Sequence, residues 1–302
     1  MKPLDILLVL VVVVIWGVNF VVINVGLRDL PPILFSACRF IGAAFPLIFF
    51  LKRPAVPWRL LIGLATFQFA FQFPLLFTGL KLGFPPGLTS LVIQLQVLFT
   101  MLVAVVLLGE RPHRAQLIGG LIALSGMVLV AVKLDGKPTL IGFVLVLAAA
   151  LCWGTGNIFT KKIGKVEPLA LVVWASLLAI PPLLVMSFFA EGFAAWKQAA
   201  ADLNWRAVGA ILFQSYPNTI IGYGIWSLLM RKYPAATIAP FALLVPVTGM
   251  ISASVFVDEP LQWWKLAAAA LVIGGLAINI FGARLLQALG LTRTVDATSP
   301  GK

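Results

Sequence analysis

The sequence predicts an all-α integral membrane protein of ten transmembrane helices, arranged as two inverted five-helix repeats with both termini in the cytoplasm. Three observations predict this. The 302 residues are 61% hydrophobic and 11% charged, with a mean hydropathy of +1.07, whereas a soluble domain is about 25% charged. The apolar residues fall into runs near the roughly 20 residues that cross a bilayer as a helix. Landmarks of the first half recur, in order, in the second. A soluble enzyme, a DNA-binding module and a disordered hub are excluded together, because 22 basic and 10 acidic side chains cannot cover a globular surface of this size. The net charge of +12 comes from Lys and Arg scattered singly and in pairs between apolar runs. That is the pattern of cytoplasmic membrane loops and not of a nucleic-acid patch.

In chain order the runs are 6–25, 32–51, 60–80, 88–108, 116–132, 140–159, 169–189, 208–229, 236–257 and 263–281. The first follows Lys2 but is too long for the apolar core of a signal peptide, and no small-x-small cleavage site ends it, so it reads as a retained helix. With the N-terminus inside, inner segments hold 14 basic residues, among them Lys52, Arg53, Lys161 and Lys162. Outer segments hold 7, among them Arg28, Lys133 and Lys197, and Arg39 alone falls within a run. The bias places both termini in the cytoplasm.

Trp16-Gly17 recurs as Trp153-Gly154 and Asn19 as Asn157. Pro85, Glu110 and Gly126 then recur as Pro234, Glu259 and Gly275. The offset changes across 191–206, which marks an insertion between runs seven and eight. The predicted division is 1–135 for the first repeat, 136–285 for the second and 286–302 for a disordered cytoplasmic tail. Five spans per repeat is an odd number, so the second repeat enters from the opposite face. A site between the halves can then open alternately to either side, as in inverted-repeat transporters.

All ten acids, and the single histidine His113, fall in loops or at helix ends. Intramembrane proteolysis, zinc hydrolysis and serine hydrolysis all need ionisable groups inside the spans, so those enzyme classes lose their chemistry. There is no phosphate-binding G-x-x-x-x-G-K-[ST] loop, so neither ATP nor an ATPase subunit is implied. Cys38 and Cys152 lie inside apolar runs and imply no disulfide. No metal and no cofactor are expected.

Candidate solute contacts come from the polar and aromatic residues at span depth. Asn19 and Asn157 stand in corresponding first helices, each beside a Trp-Gly pair, with Trp16, Phe20 and Trp153 as walls. Amides at such positions also serve as packing glue between helices. Gln94 and Gln96 lie two apart, so one is expected to face a cavity and the other a neighbouring helix. Tyr223, with Gln68, Gln72, Tyr216 and Asn218, adds hydrogen-bonding groups in runs three and eight. Burying Arg39 costs a few kcal/mol, which reads as a contact for a substrate anion, as a structural lock on neighbouring carbonyls or as a snorkel toward lipid headgroups. Glu110 and Glu259, just before runs five and ten, read as helix caps or as gate residues. Pro240 and Pro246 interrupt run nine, where unpaired carbonyls can line a cavity.

The stretches WGVNFVVINVGL (16–27), GNIFTKKI (156–163), IIGYGIW (220–226), LLVPVTGMISA (243–253) with Asp258-Glu259, and INIFGARL (278–285) resemble the EamA family of the drug/metabolite transporter superfamily. They are most similar to its bacterial exporters of O-acetylserine and cysteine. The resemblance spans both repeats. It implies a ten-helix protein of the bacterial inner membrane, with a cavity formed by spans one, three, four, six, eight and nine, and spans five and ten at the periphery. Its partners would be the lipid bilayer and a small amino-acid-like solute. Two other readings remain open at this point: export of aromatic or cationic drug-like compounds, and a membrane scaffold that transports nothing. A cavity with several polar groups separates the first reading from both.

Overall fold

In hydrocarbon every backbone N–H and C=O must be bonded within the chain, which leaves helices as the natural spanning element. The computed structural model describes residues 1–110, 112, 114–133, 137–233 and 238–288, and among them there are only helices, turns and loops. The first half contains α1 (Pro3–Gly26), α2 (Pro32–Ala44), α3 (Trp58–Leu64), α4 (Gln72–Lys81), α5 (Pro86–Val92), α6 (Gln96–Leu108) and α7 (Arg114–Lys133). The second contains α8 (Lys137–Ile163), α9 (Pro168–Ala190), α10 (Gly192–Ala201), α11 (Trp205–Phe213), α12 (Gly222–Lys232), α13 (Val245–Val257) and α14 (Trp263–Ala288). Pro3, Pro32, Pro86 and Pro168 open their helices at positions where a missing N–H costs nothing.

Eight helices among the described residues are long and apolar enough to cross a membrane. Run eight falls on the continuous helical stretch from α11 to α12, where Gln214, Ser215, Tyr216, Asn218 and Thr219 dilute its apolar character. Run nine contains a shorter apolar helix, Phe241–Val257. The insertion at 191–206 forms α10, a short surface helix. The boundary expected at 135 and 136, Pro234, His113 and residues 289–302 of the expected tail lie outside the described residues. α14 runs to Ala288, so the first three residues of that tail, 286–288, are helical.

Three irregularities come in pairs, two of them 149 residues apart and the third offset by 146 to 149. A π-helical segment follows α3 at Ala65–Phe71 and another follows α11 at Gln214–Ile221. A 3-10 turn at Ile93–Leu95 precedes α6, and one at Ala239–Leu244 precedes α13. Left-handed residues end α6 and α13: Gly109 at φ 65° and Asp258 at φ 53°. The helices pack in matching partnerships. α1 packs on α13 as α6 does on α8, α2 packs on α9, α5 on α13, and α7 lies along most of α14. That last pair is in backbone contact through small residues. A Cβ on Gly126 would sit 3.0 Å from the Ala268 carbonyl oxygen, and one on Gly275 would sit 2.5 Å from the Ala123 nitrogen. Close approach of this kind is what small residues give to helices that have no hydrophobic drive to associate in lipid.

Candidate solute-binding cavity

A cavity of about 490 Å³ lies between the helices, within the roughly 300–1,000 Å³ of small-molecule sites. α1 contributes Trp16, Asn19 and Phe20, and α2 contributes Arg39. The π segment before α4, and α4 itself, contribute Gln68, Gln72, Phe73 and Leu76. Gln94 comes from the 3-10 turn before α6, Gln96 from the start of α6, and Trp153, Asn157 and Thr160 from α8. Asn218, Tyr223, Trp226 and Met230 come from the second π segment and α12, and Ala242 and Val245 close the ring. Among the described residues, none of the lining comes from α7, α9 or α14.

One wall is aromatic. The Trp16 ring centroid lies 5.1 Å from that of Trp226 and 5.6 Å from that of Tyr223. The Trp16 indole N–H donates to the Asn218 carbonyl at 3.3 Å. A Cβ on Gly222 would lie 2.6 Å from that indole nitrogen, so glycine there leaves room for the tryptophan.

The amides tie helices together around this space. Asn157 Nδ2 donates to Gln96 Oε1 at 2.7 Å and to Thr100 Oγ1 at 3.0 Å, joining α8 to α6. Asn19 Oδ1 accepts from Gln214 Nε2, joining α1 to the second π segment. Gln94 and Gln96 were expected to diverge, one to the cavity and one to a neighbouring helix, yet both line the cavity. The 3-10 turn at Ile93–Leu95 supplies the reason: at three residues per turn, positions two apart lie about 120° from each other, whereas on an α-helix they lie about 160° apart.

Arg39 is 1% exposed. Its guanidinium lies over Phe73, 3.9 Å from the ring centroid, and 5.2 Å from that of Phe40. Nε and Nη2 donate to Thr219 Oγ1 at 3.3 and 3.0 Å. The backbone is pinned as well, because Ser215 Oγ donates to the Arg39 carbonyl at 3.0 Å. Both anchoring hydroxyls belong to the second π segment.

Glu259 does cap a helix, but not the α14 that follows it. Its Oε2 accepts from Gly87 N–H at 2.8 Å in the first turn of α5, while Lys265 Nζ lies 2.9 Å from Oε1. Glu110 pairs with Lys161 at the protein surface. A cap absent from the sequence reading comes from Glu191, whose two oxygens accept from Ile33 and Leu34 N–H at the start of α2, at 2.6 and 2.9 Å. Trp226, Met230 and Thr160 also went unread. The signal was present: Trp226 is three residues from Tyr223, Met230 four from Trp226, and Thr160 three from Asn157, the spacings that share a helix face.

A multi-pass helical protein with a solute-sized cavity between its helices, ringed by polar and aromatic side chains, has the architecture of a membrane transporter. The chain belongs to the EamA-like transporter family, whose sequence profile matches residues 4–132 and again 140–281. It is 44% identical to a probable amino-acid metabolite efflux pump of Salmonella typhimurium, covering 94% of this chain and 97% of that one. It is 41% identical to a protein of the same description from Escherichia coli, over 96% and 99%. A probable terminal-alkyne amino-acid exporter of Streptantibioticus cattleyicolor is 28% identical over 96% and 95%. A solved structure shares the fold, with a TM-score of 0.59 over 95% of this chain and 100% of that chain at 19% identity. The protein is therefore a transporter and not an enzyme, and its place is the bacterial inner membrane.

Proposed function

We propose that this protein exports small amino-acid-like metabolites, cysteine and O-acetylserine foremost, by alternating access. The working unit is ten spans as two inverted repeats, 1–135 and 136–285, with both termini cytoplasmic. The observation that carries the reading is the cavity: its lining includes seven Asn and Gln side chains from α1, α4, α6, α8, the two π segments and the 3-10 turn before α6, one buried cation and an aromatic wall. The two relatives named as amino-acid metabolite efflux pumps supply the direction and the cargo class. Asn19, Gln94, Asn157 and Tyr223 are the polar contacts of this reading, and Trp16, Phe20 and Trp153 its walls. Export of cationic drug-like compounds is disfavoured, because the charge at the site is that of Arg39. A scaffold gains nothing from a polar cavity at membrane depth, where each unpaired polar group is costly.

The repeat is supported by the irregularities paired at 149 residues and by a family profile that matches twice. The topology is supported by the ties between helix ends. Asp5 with Lys232, and Glu110 with Lys161, join residues expected inside. Asp29 with Arg206, and Glu259 with Lys265, join residues expected outside. On that topology the lining reaches Thr160 and Met230, within three residues of the inner ends of α8 and α12, so the cavity faces the cytoplasm. The test is secretion: cells producing the protein release more cysteine and O-acetylserine into the medium than cells carrying an empty vector. Equal release of both would count against these substrates.

A further inference from the structure

Among the described residues, four buried side-chain polar atoms have no hydrogen-bond partner: Asp29 Oδ2, Arg39 Nη1, Gln68 Oε1 and Gln72 Oε1. Three of the four belong to side chains that line the cavity. Buried polar groups are normally paired, so a cluster of unpaired ones marks where a ligand completes the bonding. The chemistry of the three is specific. Arg39 Nη1 is a cationic donor, while the two glutamine carbonyl oxygens are acceptors.

The chain also ties the three to one another. Phe73 carries the guanidinium on its face at 3.9 Å, Gln72 is its chain neighbour, and Gln68 precedes Gln72 by four residues, one helical turn. Arg39 and Gln72 are 1% and 3% exposed. Thr219 and Ser215 of the second π segment hold the arginine through Nε, Nη2 and the main chain and leave the remaining terminal nitrogen uncommitted. Among the described residues, no carboxylate lines the cavity to neutralise the guanidinium.

We infer that Arg39, Gln68 and Gln72 form the recognition site for the zwitterionic head of an α-amino acid, with Arg39 Nη1 binding the carboxylate and the Gln68 and Gln72 carbonyls binding the ammonium. This rests on the transport reading and deepens it by naming what the cavity selects: the shared head group, not the side chain. An amine lacking the carboxylate meets an unpaired cation. A carboxylic acid lacking the ammonium leaves two acceptors unpaired. A molecule bearing both a carboxylate and an ammonium group satisfies all three atoms at once.

The experiment is calorimetric binding to the purified full-length protein in lipid nanodiscs, with ligands in matched sets: cysteine, cysteamine and N-acetylcysteine, then O-acetylserine, and then phenylalanine and phenethylamine. For every amino acid that binds, removing the carboxylate is expected to weaken wild-type affinity roughly ten- to a hundredfold, the value of a hydrogen bond to a charged group. Arg39→Gln brings the ratio of amino acid to amine close to one, and Arg39→Lys restores part of it. Gln72→Leu keeps the carboxylate ratio but loses the preference for cysteine over N-acetylcysteine. Because each ratio is measured within one variant, it is insensitive to loss of folded protein. Arg39 acting only as a lock predicts a lowered melting temperature with the ratio intact in Arg39→Gln, and that result overturns the inference. Equal wild-type binding of cysteine and cysteamine overturns it too. If phenylalanine binds with the carboxylate preference while cysteine and O-acetylserine do not bind, the head-group site stands and the proposed substrates fall. If no compound binds, both fall.

Discussion

Two glutamates in corresponding places of the chain do different work, and exposure decides which matters. In the Glu259–Lys265 pair the side chains are 10% and 6% exposed, whereas in the Glu110–Lys161 pair they are 46% and 57% exposed. Breaking a buried pair strands a charge and costs about 3–5 kcal/mol. A solvated pair is worth about 0–1 kcal/mol. Glu259→Gln should therefore lower the melting temperature of the purified protein substantially, and Glu110→Gln hardly at all. Equal losses would mean that burial is not the controlling difference. Asn19 and Asn157 already bond across helices to Gln214, Gln96 and Thr100. Alanine at either should cost roughly 1–3 kcal/mol of stability and weaken solute binding less than Arg39→Gln does, as melting and calorimetry on the same samples would show. At this scale the sequence exposed much of the cavity lining, because an amide or a tryptophan inside an apolar run is conspicuous. It did not expose partners. That Asn157 meets Gln96, or that Glu191 caps α2, depends on distances between segments 61 and more than 150 residues apart.

At the scale of elements, the breaks in the helices set the geometry of the site. The first π segment carries Gln68, and the second carries the hydroxyls that hold Arg39. The 3-10 turn at Ile93–Leu95 turns both Gln94 and Gln96 inward. None of these has a sequence signature as strong as the apolar runs. A π-helical turn is a one-residue change in hydrogen-bond register, and the side chains on either side of it remain compatible with an ordinary α-helix. Helix contacts were more legible, since one glycine of each partner, Gly126 in α7 and Gly275 in α14, recurs at the repeat offset. They yield a paired prediction from adjacent residues. A Cβ on Gly275 runs into the backbone of α7, whereas one on Gly274 meets nothing within 4 Å. Gly275→Leu should abolish the monodisperse peak in size-exclusion chromatography, and Gly274→Leu should leave it intact. Similar profiles for the two variants would show that α7 and α14 are not packed backbone to backbone.

The whole molecule joins a sequence-level count of basic residues to a cavity that only the folded chain reveals. Hydropathy located the spans that are apolar throughout. It was weakest for run eight, because the polar residues that serve the cavity and Arg39 are the ones that dilute the apolar signal there. With Cys38 and Cys152 replaced, single cysteines at Lys133 and Lys197 should react with an impermeant maleimide from outside intact cells, and those at Lys52, Lys162 and Lys232 should not. Labelling of Lys52 and Lys197 from the same side would remove the inverted repeat. The central claim, that a solute is carried through the cavity, is tested most directly by counterflow. Proteoliposomes loaded with unlabelled cysteine are diluted into labelled cysteine, with and without a pH gradient. The account predicts transient accumulation of label above equilibrium that is absent from protein-free vesicles and lost in Arg39→Gln, and no labelled uptake above protein-free vesicles under either condition would contradict it.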